Sequence, residues 1–237
     1  MIPYRYIGEE LEVFAHAVNW KGYLRSQIGG CLTGDVLEVG AGIGETTRLF
    51  CDGRQRSWTC LEPDPALAAT LERSVGRGPL PIAPRVVVGT VADLPGTPAF
   101  DAIIYIDVLE HIGDDRAELA RAAARLRPHG ALVVLSPAHQ FLFSAFDARI
   151  GHLRRYDRPM IRAITPPDTS LETLRYLDAA GMFLSLGNRL ILRSGSPTVA
   201  QVRTWDRLFV TISRGIDPLL GWRVGKSLLA IWRRSAT

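Results

Sequence analysis

Three glycines, Gly40, Gly42 and Gly44, follow a short apolar run in the stretch VLEVGAGIGETT. Glycine lets a backbone turn tightly and come close to a ligand. A strand running into G-x-G-x-G is therefore a nucleotide-loop shape. The spacing is not the G-x-G-x-x-G of dinucleotide sites, because Glu45 stands where the third glycine would be. Glu62 lies 22 residues after Gly40, at the end of the next apolar run. A carboxylate there can accept hydrogen bonds from both hydroxyls of an adenosine ribose. Charge then separates the ligands. A pyrophosphate favours the bare positive end of a helix, but Glu38 and Glu45 place acids on both sides of this loop. A nucleoside carrying an ammonium and a sulfonium suits such a loop better than a dianion.

A second group of reactive side chains lies further along. Asp107, Glu110 and His111 follow the run DAIIYI, and His139 follows ALVVL. His152 sits in GHLRRY with Arg154, Arg155 and Tyr156. Histidine is the usual proton acceptor near neutral pH, and strand ends of an open α/β sheet face its ligand. His139 and His152 are therefore the candidate catalytic residues. His111 reads as a helix-start residue packing beside the loop.

These residues must be held by alternating elements. Asp35–Val39, Ser57–Leu61, Arg85–Gly89, Asp101–Ile106 and Ala131–Leu135 predict strands, with helices over Glu45–Cys51, Pro65–Val75 and Asp114–Leu126. Strands so continuously apolar belong to a parallel sheet covered on both faces. Residues 8–29 predict two helical pieces meeting around Asn19–Lys21. After residue 136 comes a loop-rich crossover with a short helix near Arg158–Ile164. Leu171–Asp178 and Lys226–Trp232 predict two more strands, separated by a helical insertion over Ser196–Trp222. Ser196 suits its N-cap and Pro197 its first position.

Composition bounds the function. The chain has 237 residues, 47% of them hydrophobic, enough for one domain with an elaboration. It has no run of 18 apolar residues and no secretory leader pattern. Cys31, Cys51 and Cys60 lack metal-type spacing and predict reduced thiols of a cytoplasmic protein. The net charge of +4 is uneven: residues 193–237 hold eight Arg and Lys against Asp206 and Asp217. Such a tail can meet phosphate, nucleic acid or anionic lipid, or form a solvated helix face. A membrane-surface role for Val199–Leu220 is interrupted by Asp206, Asp217 and Pro218.

VLEVGAGIG resembles motif I of class I S-adenosylmethionine-dependent methyltransferases. Five later segments are similar to that family in order: LEP at 61–63, VADLP at 91–95, FDAIIYIDVLEHI at 100–112, LRPHGALVVLSP at 126–137 and GHLRRYDRPMI at 151–161. Thr90 and His129 are mild departures. The resemblance implies a doubly wound α/β sheet of order 3-2-1-4-5-7-6 with the last strand antiparallel. It implies an N-terminal helical cap over 1–30, a methyltransferase domain over 31–237, and a substrate lid within it at 193–222. The implied cofactor is S-adenosyl-L-methionine, bound by Glu38, Gly40, Gly42, Gly44, Glu62, Asp93, Leu94 and Asp107, with Asp93 meeting the adenine amino group. The implied activity is methyl transfer to a small, largely apolar acceptor of bacterial secondary or lipid metabolism. The alternatives are the same fold methylating RNA, disfavoured without an N/D-P-P-Y/F motif, and a membrane-surface binding protein, since peripheral lipid contact stays open. D-x-x-E-H at 107–111, with His139 or His152, resembles the E-x-x-E-H ligand pattern of some ubiquinone-pathway and small-RNA 2′-O-methyltransferases. The same letters recur in members that bind no ion, so no metal is expected.

Overall fold

A computed structural model describes residues 5–8, 10–76, 80–187 and 197–236. The strands are β1 (Gly34–Val39), β2 (Gln55–Glu62), β3 (Arg85–Val88), β4 (Phe100–Ile106), β5 (Leu126–Pro137), β6 (Thr169–Leu177) and β7 (Ser227–Arg234). They form one sheet in the order β3-β2-β1-β4-β5-β7-β6. β7 is antiparallel to β5 and β6, and the other pairs are parallel. The expected topology is the observed one. The helices are α1 (Glu10–Phe14), α2 (Val18–Ile28), α3 (Glu45–Phe50), α4 (Pro65–Val75), α5 (Asp115–Ala124), α6 (Ala145–Arg149), α7 (Arg158–Ala163), α8 (Ala179–Gly187), α9 (Val199–Thr204) and α10 (Val210–Leu219).

Both faces of the sheet are buried, as the unbroken apolar runs require. One face packs Val36, Ala102, Ile104 and Val133 against Tyr23, Leu24 and Ile28 of α2. The other packs Leu37, Ile103, Tyr105 and Val134 against Leu119 and Ala122 of α5. The strand order reverses between β1 and β4, so the loops after these strands diverge and leave a crevice at their carboxyl ends.

Three boundaries differ from expectation for physical reasons. The break between α1 and α2 falls at residues 15–17 rather than Asn19–Lys21. Asn19 and Trp20 remain helical because their N–H groups donate to the Asp206 carboxylate, at 3.0 and 2.8 Å. A distant acid thus supplies the N-terminal acceptor that Ala17 cannot. The insertion begins earlier, with α8, whose sequence AAGMFLSLG has no polar face to give it a period. Residues 188–196, including the expected N-cap Ser196, lie outside the described residues. The next helix starts at Val199, where Thr198 and Gln201 form a capping box. It runs through a π-helical turn, Trp205–Phe209, directly into α10.

Candidate active site

A cavity of about 1610 Å³ occupies the crevice at the carboxyl ends of β1, β2 and β4. Its floor is the loop after β1. Gly40, Gly42 and Gly44 have φ of 66°, 56° and 88°, where side chains are strained. A Cβ on Gly40 would also stand 2.6 Å from a Val108 methyl. The Gly40 N–H donates to the Leu61 carbonyl at 2.7 Å, tying the loop to β2. Gly40 and Gly42 line the cavity. Gly44 does not: it is the left-handed N-cap of α3 and abuts Leu71 of α4, a packing role.

The two acids expected near the loop divide. Glu62 lines the cavity, accepting from the Gly42 N–H at 2.8 Å and the Asp64 N–H at 3.0 Å. Burial raises its pKa against those hydrogen bonds. Glu38 corrects the sequence reading. It is turned beneath the loop, where Thr47 Oγ1 and Trp58 Nε1 donate to Oε2 at 2.6 and 2.9 Å. It braces α3 and β2, and burial pushes its pKa up to about 7. Glu45 is met by Lys21 Nζ at 2.8 Å, so the acid on the cavity wall is paired.

At the end of β3 the wall is formed by Gly89, Thr90 and Val91. Asp93 is exposed and accepts from the Thr90 N–H and Oγ1, both at 2.8 Å. It closes a capping box instead of facing the cavity, and Leu94 is also off the wall. Asp107, after β4, does line the cavity. Its φ of 54° is strained for a non-glycine residue, and its N–H is held by the Leu135 carbonyl at 2.9 Å.

The candidate histidines separate in the same way. His139 faces away from the cavity. Its φ of 65° directs the ring onto Tyr176, centroids 4.6 Å apart, with Nε2 3.1 Å from the Gly225 carbonyl. His152 faces the cavity. Its Nδ1 lies 2.9 Å from Asp147 Oδ1, and its Nε2 lies 3.7 Å from Glu110 Oε1. Asp147 is itself fixed by Arg155, whose Nε and Nη2 donate at 2.9 and 3.0 Å. Those partners hold the Asp147 carboxyl well below the usual carboxylate range. A carboxylate accepting Nδ1–H leaves Nε2 as the free base.

Two residues beside His152 carry more chemistry than their sequence positions suggested. Both Glu110 carboxylate oxygens are buried without a hydrogen-bond partner among the described residues. Burial and the Asp107 charge raise its pKa far above that of an ordinary glutamate. His111 meets the His152 ring edge-on at 4.7 Å, and burial lowers its pKa to about 4. One ligand atom from each of Glu110, His111 and His152 lies within 4.8 Å of the others, a donor set able to hold Zn²⁺, Mn²⁺ or Fe²⁺. Lys226, read from the sequence only as part of a basic tail, also lines the cavity. It sits 3.7 Å over the Trp205 ring and 3.4 Å from Asp178 Oδ2.

Comparison with known proteins places this geometry. Residues 37–132 match the model of a family described as a methyltransferase domain. No curated protein matches the chain by sequence. Among solved structures, a coclaurine N-methyltransferase bound to N-methylheliamine and S-adenosylhomocysteine aligns with a TM-score of 0.60 at 14% identity, over 92% of this chain and 71% of that one. The N-methyltransferase NodS from Bradyrhizobium japonicum WM9 aligns with a TM-score of 0.57 at 15% identity, over 95% and 99%. The [4+2]-cyclase SpnF aligns with a TM-score of 0.59 at 15% identity, over 90% and 81%. Likeness at such identities establishes the fold, and it is the family model across β1 to β5 that bears on the reaction. The chain therefore carries a methyltransferase domain over residues 37–132, set in the fold of solved S-adenosylmethionine-dependent methyltransferases.

Proposed function

We propose that the protein methylates a small, largely apolar acceptor, with the acceptor atom brought to the polar end of the cavity at Asp107, His111 and His152. The cavity carries this reading. Its 1610 Å³ exceed the roughly 300–1,000 Å³ of ordinary ligand pockets, leaving room for a nucleoside cofactor and a bulky second molecule. Phe14, Leu49, Leu142 and Phe146 give it apolar walls. Glu62 would accept from the ribose hydroxyls, and Gly40 and Gly42 would let the loop approach the amino acid portion. Asp107 would flank the cofactor from the β4 side, and Thr90 and Val91 would border the adenine.

In the reaction the acceptor's lone pair attacks the sulfonium methyl in line. The methyl–sulfur bond breaks and S-adenosylhomocysteine leaves neutral at sulfur. Positioning supplies much of the rate. Where the acceptor must lose a proton, His152 Nε2 takes it, with Asp147 steadying the imidazolium. A second reading of the same end rests on the buried Glu110 carboxylate, which has no hydrogen-bond partner among the described residues. A divalent ion on Glu110, His111 and His152 would lower the pKa of an acceptor hydroxyl. Three cations of the basic tail are engaged within the protein. Arg233 faces Glu172, Arg234 donates to the Ala123, Ala124 and Leu126 carbonyls, and Lys226 faces Asp178.

The test is calorimetric titration with S-adenosylhomocysteine, followed by mass-spectrometric screening of hydroxylated and aminated apolar acceptors. Saturable binding and a methylated product support the reading. Absence of binding at high micromolar ligand would sink it.

A further inference from the structure

We infer that the outer face of α9 and α10 is a docking surface for an anionic lipid bilayer. Asp206 and Asp217, the only acids between residues 199 and 221, both turn inward. Asp206 caps α2. Asp217 accepts from Tyr23 Oη at 2.7 Å and from the Asp178 and Ala179 N–H groups at 2.7 and 3.0 Å. The two residues that break the amphipathic pattern in sequence are therefore buried anchors, and the exposed face carries no acid.

Two rows remain outside. Arg203, Arg207 and Arg214 are exposed and spaced four and then seven residues apart. Leu208, Ile212 and Leu219 repeat that spacing five residues later, at 53%, 43% and 85% exposure. Intervals of four and seven keep residues on one side of a helix. The result is an apolar row and an arginine row on the two flanks of the exposed face, about 140° apart around the helix. A helix of that kind lies in a bilayer interface, with its apolar row among the acyl boundary and its cations at anionic headgroups. No arginine of the row is in an ion pair among the described residues. Arg223 stands exposed just beyond α10.

The cavity meets this face. Phe183 and Leu184 of α8, which packs on α10, are 61% and 40% exposed and also line the cavity. They form a partly exposed stretch of the cavity wall on the helix that packs against α10. An acceptor with a long apolar chain would pass from the bilayer to that stretch without crossing water. This last step rests on the proposed methyl transfer; the docking surface does not.

The test uses the full chain with two vesicle compositions, phosphatidylcholine alone and phosphatidylcholine with phosphatidylglycerol, at low and high salt. Co-sedimentation is expected only with phosphatidylglycerol, weakening as salt rises. The triple variant Arg203→Glu, Arg207→Glu, Arg214→Glu should lower the partition coefficient about a hundred-fold. Leu208→Ser, Ile212→Ser, Leu219→Ser should lower it at least ten-fold. Both should keep wild-type affinity for S-adenosylhomocysteine, which separates failure of docking from failure of the methyltransferase reading. Hydrogen exchange on the wild type needs no variant: residues 199–221 should gain protection with phosphatidylglycerol vesicles. Equal binding to both compositions, no binding by the wild type, or protection elsewhere would overturn the inference.

Discussion

Glu38 offers the sharpest test of an acid braced beneath the loop against one that faces the cavity. Its carboxyl is fully buried beneath the cofactor loop, and desolvation lifts its pKa from 4.5 to about 7 against the donors Thr47 and Trp58. The folded protein therefore holds a proton here that the unfolded chain releases at lower pH. Wherever the folded state binds more protons, stability falls as pH rises. The loss starts near the unfolded value and is complete above about pH 8. Its size is about 3 kcal/mol at most, taking 1.36 kcal/mol for each pH unit between the two values. Glu38→Gln keeps the shape and an acceptor for the two donors but cannot ionise. Denaturant unfolding at pH 5, 6, 7 and 8 should show the variant close to wild type at pH 5 and more stable by up to about 3 kcal/mol at pH 8. S-adenosylhomocysteine affinity should change less than about two-fold, since Glu38 is off the cavity wall. Parallel stability curves, or a large loss of affinity, would refute the assignment.

Glu62→Gln should behave in the opposite way, weakening S-adenosylhomocysteine about ten-fold or more by calorimetry, since hydrogen bonds to charged groups contribute roughly 1.5–3 kcal/mol. Asp217→Ala strands the Tyr23 hydroxyl and two N–H groups in the interior, so it should cost about 3–5 kcal/mol in denaturant unfolding, and Asp217→Asn less. His152→Ala should lower kcat without changing cofactor affinity, whereas His139→Ala should leave kcat within about two-fold, measured by S-adenosylhomocysteine release. Turnover should persist in excess EDTA; its loss, with metal recovered on the protein by mass spectrometry, would move Glu110, His111 and His152 from proton transfer to ligation.

The parts of the molecule legible in sequence are those fixed by backbone requirements. DAIIYI and ALVVL read as strands because a sheet covered on both faces leaves them no polar side. The loop read as a ligand floor because positive φ and a close approach at Val108 admit only glycine at Gly40. Side-chain direction was far less legible. Glu38, Asp93 and His139 stand beside the crevice in sequence, yet one turns under the loop, one caps a turn and one stacks on Tyr176. The partner that prepares His152 was hidden too. Asp147 lies five residues before it in what reads as a loop-rich crossover, and only the fold of α6 brings the two together.

The buried acids of the insertion tie fold to function. Asp206 holds the start of α2, and Asp217 holds Tyr23 of the same helix. Asp178 accepts from Trp205 Nε1 and Ser213 Oγ at 2.7 and 2.6 Å and from the Gly181 N–H at 3.0 Å, and Lys226, 3.4 Å from it, reaches the cavity wall. Three carboxylates therefore clamp the segment between β6 and β7 onto the N-terminal helices and the floor of β7. Breaking any one leaves buried donors or a buried charge unmatched, at a cost of several kcal/mol. The described part of the insertion is thus pinned along its inner face, and Asp206 and Asp217 turn inward and leave the outer face of α9 and α10 without an acid.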